Sequence, residues 1–139
     1  MEIVIHRPNV ICNHKVKYVV LGAVALLLGL VIYLLFRPNT YISRFILKFL
    51  PLDLSEILTM INTPFFKFYM GDYLWAFSLS CWLRFIFNDR SKNALSVAIV
   101  AIAGALYEMM QYFGIISGTG DILDCLLYLL AGLTVSRLK

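Results

Sequence analysis

From Tyr18 to Phe36 the chain runs for 19 residues without a charged side chain. A helix rises about 1.5 Å per residue, so this stretch reaches about 28 Å. That is close to the hydrocarbon thickness of a bilayer, about 30 Å. Inside hydrocarbon each backbone N–H and C=O must be satisfied within the segment, which leaves a helix as the structure such a run can adopt. A secretory signal has a shorter apolar region followed by a small-x-small cleavage site. Here Arg37-Pro38 ends the run as it would end a membrane span. Gly22, Ala25, Gly29 and Tyr33 fall on one helical face, a small-residue strip suited to close packing against another helix.

Composition extends this to the whole chain. The 139 residues suffice for one domain, residues 1–139. They are 61% apolar with mean hydropathy +0.84, against about 45–50% apolar in soluble domains. The expectation is an all-α integral membrane protein. Cys81 and Cys125 lie in apolar stretches and Cys12 in the basic N-terminal segment, with no CxxC or Cys/His cluster. No disulfide framework or structural zinc site is called for, and no cofactor. The net charge of +4 comes from Lys and Arg scattered between apolar runs. Scattered cations fit topology and lipid headgroups rather than nucleic acid.

Four spans are expected, at about 18–36, 71–87, 94–116 and 121–138. Between the first two lies an amphipathic interfacial segment at about 41–62. Arg44 and Lys48 stand opposite Ile42, Phe45, Ile46 and Phe49. Pro51 stops that pattern, Asp53 and Glu56 resemble a capping pair, and Pro64 breaks the second short helix. In the second span Trp75 and Trp82 suit interface anchors, and Arg84 is expected to snorkel from its far end. Ser117-Gly118-Thr119-Gly120 reads as a tight turn that makes the last two spans antiparallel neighbours. Four spans put both termini on one side. Cytoplasmic termini place eight Lys and Arg inside and four outside, so a multi-pass protein of the cell membrane with cytoplasmic N and C termini is expected.

Against this background Glu108 stands out. It lies in Ala94 to Ile116, a stretch with no other charged side chain. Carboxylates are kept in a membrane core where they face a protein interior or a water-filled cavity, and by default they mark function. At 100° per residue Glu108 and Gln111 share a face with Ala94, Val97, Ala101, Gly104 and Ala105. On the fourth span Asp121, Asp124, Cys125, Tyr128 and Gly132 share another. Asp72 opens the second span at the same depth. Glu108, Gln111, Asp121, Asp124 and Asp72 are therefore the expected polar cluster, at the outer side. A plainer role competes at two of them, since Asp121 and Asp72 are placed to cap their own helices. Glu108 and Gln111 also suit interhelical hydrogen bonding. His6 and His14 precede the first span and read as surface residues.

These segments resemble the VanZ-like family of small membrane proteins. The resemblance rests on Tyr107-Glu108-Met109-Met110-Gln111, on Gly118-Thr119-Gly120-Asp121-Ile122-Leu123-Asp124, and on Tyr128 and Ala131-Gly132. Gly71-Asp72-Tyr73-Leu74-Trp75-Ala76 resembles the opening of a family span, and Tyr33 to Arg37 the end of its first. Many members carry an arginine in the turn where this chain has Gly118-Thr119-Gly120. The resemblance implies a bacterial cell-envelope protein in an antibiotic-resistance context, the family being named for a protein associated with low-level teicoplanin resistance.

The leading expectation is an outward-facing polar pocket that binds a lipid or cell-wall precursor headgroup without catalysis. An acidic pocket suits a cationic group, or a phosphate bridged by metal, better than a bare phosphate. One alternative is an intramembrane enzyme whose carboxylates hold Mg²⁺ or Mn²⁺ for chemistry on a lipid-linked phosphate. No Ser-His or Cys-His pairing is evident for covalent catalysis, and no catalytic residue is assigned. A second alternative is a proton or ion pathway formed by a homo-oligomer.

Overall fold

Four helices carry the chain in the computed structural model: α1 (Asn9–Phe36), α2 (Gly71–Phe87), α3 (Asn93–Tyr112) and α4 (Ile122–Arg137). A π-helical turn, Phe66–Met70, leads into α2, and a 3₁₀ turn, Arg90–Lys92, leads into α3. The structure describes residues 9–36, 45, 48, 66–87, 89–116 and 118–138, and all regular structure among them is helical. The expected interfacial segment at 41–62 lies outside the described residues, apart from Phe45 and Lys48, which are exposed.

Two helices are long and apolar enough to cross a membrane, α1 from Lys15 to Phe36 and α3. α2 and α4 have 17 and 16 residues. Only 22% of either long stretch is buried inside the protein. Leu27, Ile102, Leu126 and Leu130 point outward and are more than half exposed. A core helix of a soluble protein would bury its apolar residues, and soluble monomers rarely expose contiguous apolar surface of this kind.

α1 packs along α2, α2 also packs on α4, and α3 pairs with α4. The α1–α2 seam is built on the small-residue strip. A side chain at Gly22 would meet Cys81 Cβ at 3.2 Å and Trp82 Nε1 at 3.3 Å. Ala25 is buried, and Gly29 lies against Leu74 and Trp75. The Ser78 hydroxyl donates to the Gly22 carbonyl at 2.9 Å across the seam. Such interhelical bonds hold helices together where burial of apolar area supplies no drive. Ala76, Val100, Tyr128 and Ala131 form the core between α2, α3 and α4. A second cluster joins Tyr18, Cys81 and Val135.

Two helix ends differ from the sequence expectation. α1 begins at Asn9, so the basic segment with Lys15 and Lys17 is helical. α3 ends at Tyr112, four residues before Ile116. The cause is Gly114, at φ 68°. Its amide donates to the Gln111 carbonyl at 2.9 Å, and the Ile115 amide to Met110 at 2.9 Å. These two bonds are the Schellman closure, which needs a left-handed residue that glycine supplies without steric cost.

Candidate functional site

Glu108 lies in the last full turn of α3 and is 6% exposed. Both carboxylate oxygens are engaged from α4. Oε2 accepts the Asp121 amide at 3.0 Å. Oε1 accepts the Tyr128 hydroxyl at 3.3 Å. One side chain thus takes an amide that the helix start leaves without an intrahelical partner and a phenol two turns further along α4. The turn between the helices makes this reach possible. A Cβ on Gly120 would lie 2.7 Å from the Glu108 carbonyl oxygen, so only glycine lets the chain fold so closely onto α3.

Asp121 is the N-cap of α4. It sits in extended backbone and its side chain accepts the Leu123 amide at 3.0 Å. The capping reading therefore describes its geometry. Tyr69, from the π-helical turn, also donates to Asp121 Oδ2 at 3.4 Å. Asp121→Ala is expected to cost about 1 kcal/mol of stability, the usual worth of a cap, and Asp121→Asn much less. Thermal unfolding of both variants in detergent checks this; equal loss in the two would show that charge rather than capping matters there.

Tyr128 is the hub. Its hydroxyl lies within electrostatic reach of Asp72, Glu108 and Asp124, which come from three different helices. Its ring packs directly onto Gly104 of α3, so closely that an added Cβ there would fall within the ring. Glu108, Asp121, Asp124 and Asp72 are thus brought to one end of the bundle. Gln111 takes a different place. Its side chain lies under Gly118, where an added Cβ would meet Gln111 Cδ at 2.5 Å. It supports the turn rather than joining the group around Tyr128.

A groove of about 600 Å³ opens beside this cluster. It lies between α1 and α3, which do not pack tightly on each other, and α2 forms its floor. Asp72, Trp75, Leu79 and Trp82 line it along α2. From Asp72 to Trp82 is about 15 Å of helix. Tyr33 and Phe36 close one side, and Gly104 and Tyr107 the other. Tyr128 lines its inner wall. The groove is apolar along its length and polar at the end where Asp72 and Tyr128 stand. Its volume falls within the range of small-molecule sites, about 300–1,000 Å³.

Among the described residues no three His, Cys, Asp or Glu side chains are placed to hold a metal ion. The intramembrane metalloenzyme reading thus has no ligand set among them. Neither Tyr128 as a donor to Glu108 nor the groove was expected from sequence. Tyr128 shares a helical face with Asp124, which is the signal that points to it. Arg84 also departs from expectation. It is 7% exposed rather than reaching for solvent.

In comparison with known proteins, no family model, no curated protein and no solved structure matches this chain.

Proposed function

We propose that the protein is a VanZ-like, four-span protein of the cell envelope that holds a lipid or lipid-linked cell-wall precursor in the groove between α1 and α3. The observation that carries this reading is the groove's polarity. About 15 Å of apolar wall, roughly one leaflet of a bilayer core, ends at Asp72 and at a tyrosine hydrogen-bonded to a buried glutamate. A hydrocarbon tail suits the walls, and a polar headgroup suits the Asp72–Tyr128 end. The shorter helices fit a bilayer as well. α2 with its preceding π-helical turn runs from Phe66 to Phe87, and a short span is accommodated by local thinning and snorkelling flanks. Lys and Arg concentrate at the end with the N and C termini, which supports a cytoplasmic side for that end and an outer side for the acidic cluster. Binding there would withhold or reorganise the headgroup that envelope antibiotics recognise. No reaction is required for that.

The test is expression in a susceptible Gram-positive host, with teicoplanin susceptibility measured for wild type, Glu108→Gln and Asp124→Asn at matched membrane levels. Resistance that both variants lose supports the reading. Wild-type resistance that both variants retain removes the acidic cluster from it, and no resistance in the wild type removes the antibiotic context.

A further inference from the structure

The groove's polar end carries one sign of charge. Asp72, in the first turn of α2, lines it and is half-buried. Tyr128 lines the inner wall and is 7% exposed. It lies within electrostatic reach of Glu108 and Asp124 as well as Asp72. No lysine, arginine or histidine is among the described residues that line the groove. α1 runs antiparallel to α2 here, since Gly22 faces Cys81 and Gly29 faces Leu74. Tyr33 and Phe36 therefore stand at the level of Asp72, and Trp75 lies about one turn along α2. Carboxylates and aromatic faces both attract cations. A phosphate at this end would meet like charge.

The bonding sense agrees with the charge. A carboxylate only accepts, and it has room for about four hydrogen bonds. Asp72 can thus take a ligand N–H beside the contacts it has within the protein. Tyr128 has one proton, and the Glu108 carboxylate accepts it at 3.3 Å. What Tyr128 can still offer a ligand is an oxygen lone pair. Ser78, further along the groove, is set the same way, because its proton goes to the Gly22 carbonyl. A protonated primary amine brings a positive charge and three N–H donors, which suits Asp72 and Tyr128 together. A quaternary ammonium matches the charge but has no N–H to give, and an anionic headgroup matches neither.

We propose, on the lipid reading of the groove, that its occupant is a lipid whose headgroup carries a protonated primary amine. The ammonium lies at Asp72 and Tyr128, and the hydrocarbon chain runs along Leu79 and Trp82. Glu108 is a positioning residue in this arrangement. It holds the Tyr128 proton on the α3 side and so keeps an acceptor for the amine.

The chain's two tryptophans, Trp75 and Trp82, both line the groove. A lipid with brominated chains therefore quenches their emission where it enters. The full chain in neutral detergent is titrated with bromolipids of identical chains that carry ethanolamine, choline or glycerol on the phosphate. Phosphatidylethanolamine is expected to quench saturably. Its half-quenching should fall at about a ten-fold lower mole fraction than that of phosphatidylglycerol or phosphatidylcholine, the worth of about one charge-assisted hydrogen bond. Asp72→Asn is expected to remove this preference while saturable quenching remains. Glu108→Gln, which turns Tyr128 to accept from α3, is expected to reduce it by about three-fold or more. Asp89→Asn, exposed beyond the far end of α2, keeps it. If Asp72→Asn does not fold, the wild-type comparison of headgroups still decides. Saturable quenching of equal strength for all three lipids would leave the groove as a lipid site and overturn the amine. Equal strength for the ethanolamine and choline lipids would overturn recognition through N–H, and a preference that survives Asp72→Asn would overturn the site. Unsaturable quenching, alike for every headgroup, would remove the lipid reading of the groove itself.

Discussion

Replacing Glu108 with alanine is expected to destabilise the protein by about 3 kcal/mol, and replacing it with glutamine by less than about 1 kcal/mol. Alanine leaves the Asp121 amide and the Tyr128 hydroxyl without the acceptors they have now. Each unsatisfied buried donor costs about 1–3 kcal/mol. Glutamine differs because a hydroxyl can turn. Its amide oxygen can take the Asp121 N–H, while Tyr128 rotates to accept from the amide nitrogen. Both bonds survive, and only the charge is gone. The pair of variants therefore separates structure from function. In detergent, Tm should fall by roughly 10 °C for alanine and by a few degrees at most for glutamine. A glutamine variant as unstable as the alanine variant would mean that the charge itself holds α3 to α4.

That separation matters for the groove. Tyr128 is shared between the groove wall and the Glu108 bond. A ligand headgroup that donates to the Tyr128 oxygen can do so while the hydroxyl donates to Glu108; an accepting headgroup would compete with Glu108 for the proton. Glu108 then acts by orienting Tyr128, and its charge decides whether the hydroxyl points inward to α3 or toward the groove. The glutamine variant, with the fold kept and the Tyr128 hydroxyl turned to accept from α3 instead of donating to it, is the one that should lose binding at near-normal membrane levels.

The helices were legible in the sequence because hydrocarbon and close packing both leave periodic marks. The uncharged run 18–36, the Gly22–Ala25–Gly29 strip and the shared face of Gly104 and Glu108 were readable from a 100° period. The structure uses each in a seam. What was not legible depends on residues distant in sequence. The groove exists where α1 and α3 fail to meet, which no single helix encodes. Arg84 was expected at the surface because a charge near a span end usually snorkels. Its partners lie five and nine residues on, Asp89 in the connecting loop and Asn93 at the start of α3. The end of α3 was placed too late because Gly114 sits in an otherwise apolar run. Nothing in hydropathy distinguishes a glycine that closes a helix from one inside it. Gln111 shows the converse error, since it shares Glu108's face but meets the turn at Gly118.

The steric core of the site predicts a second large effect. Gly104→Ala is expected to cost about 3 kcal/mol, although alanine favours a helix more than glycine does by about 1 kcal/mol. The new Cβ would overlap the Tyr128 ring and come within 2.8 Å of Tyr128 Cβ. The Cβ contact decides the outcome. A ring can swing aside, but a Cβ is fixed to its backbone, so α4 must shift away from α3 or Tyr128 must leave its place. Overpacking of this kind costs about 1–3 kcal/mol. Moving Tyr128 also breaks its bond to Glu108, worth about 1.5 kcal/mol or more when the acceptor is charged. The check is a double-mutant cycle with Tyr128→Ala, read by thermal unfolding. Removing the ring makes room for the alanine, so the two changes together should cost clearly less than the sum of each alone, by about 1–3 kcal/mol. Additive costs would show that Gly104 is required for another reason. A Gly104→Ala variant as stable as wild type would mean that α3 and α4 are not held this close, and the contact between Tyr128 and Glu108 would lose its structural basis.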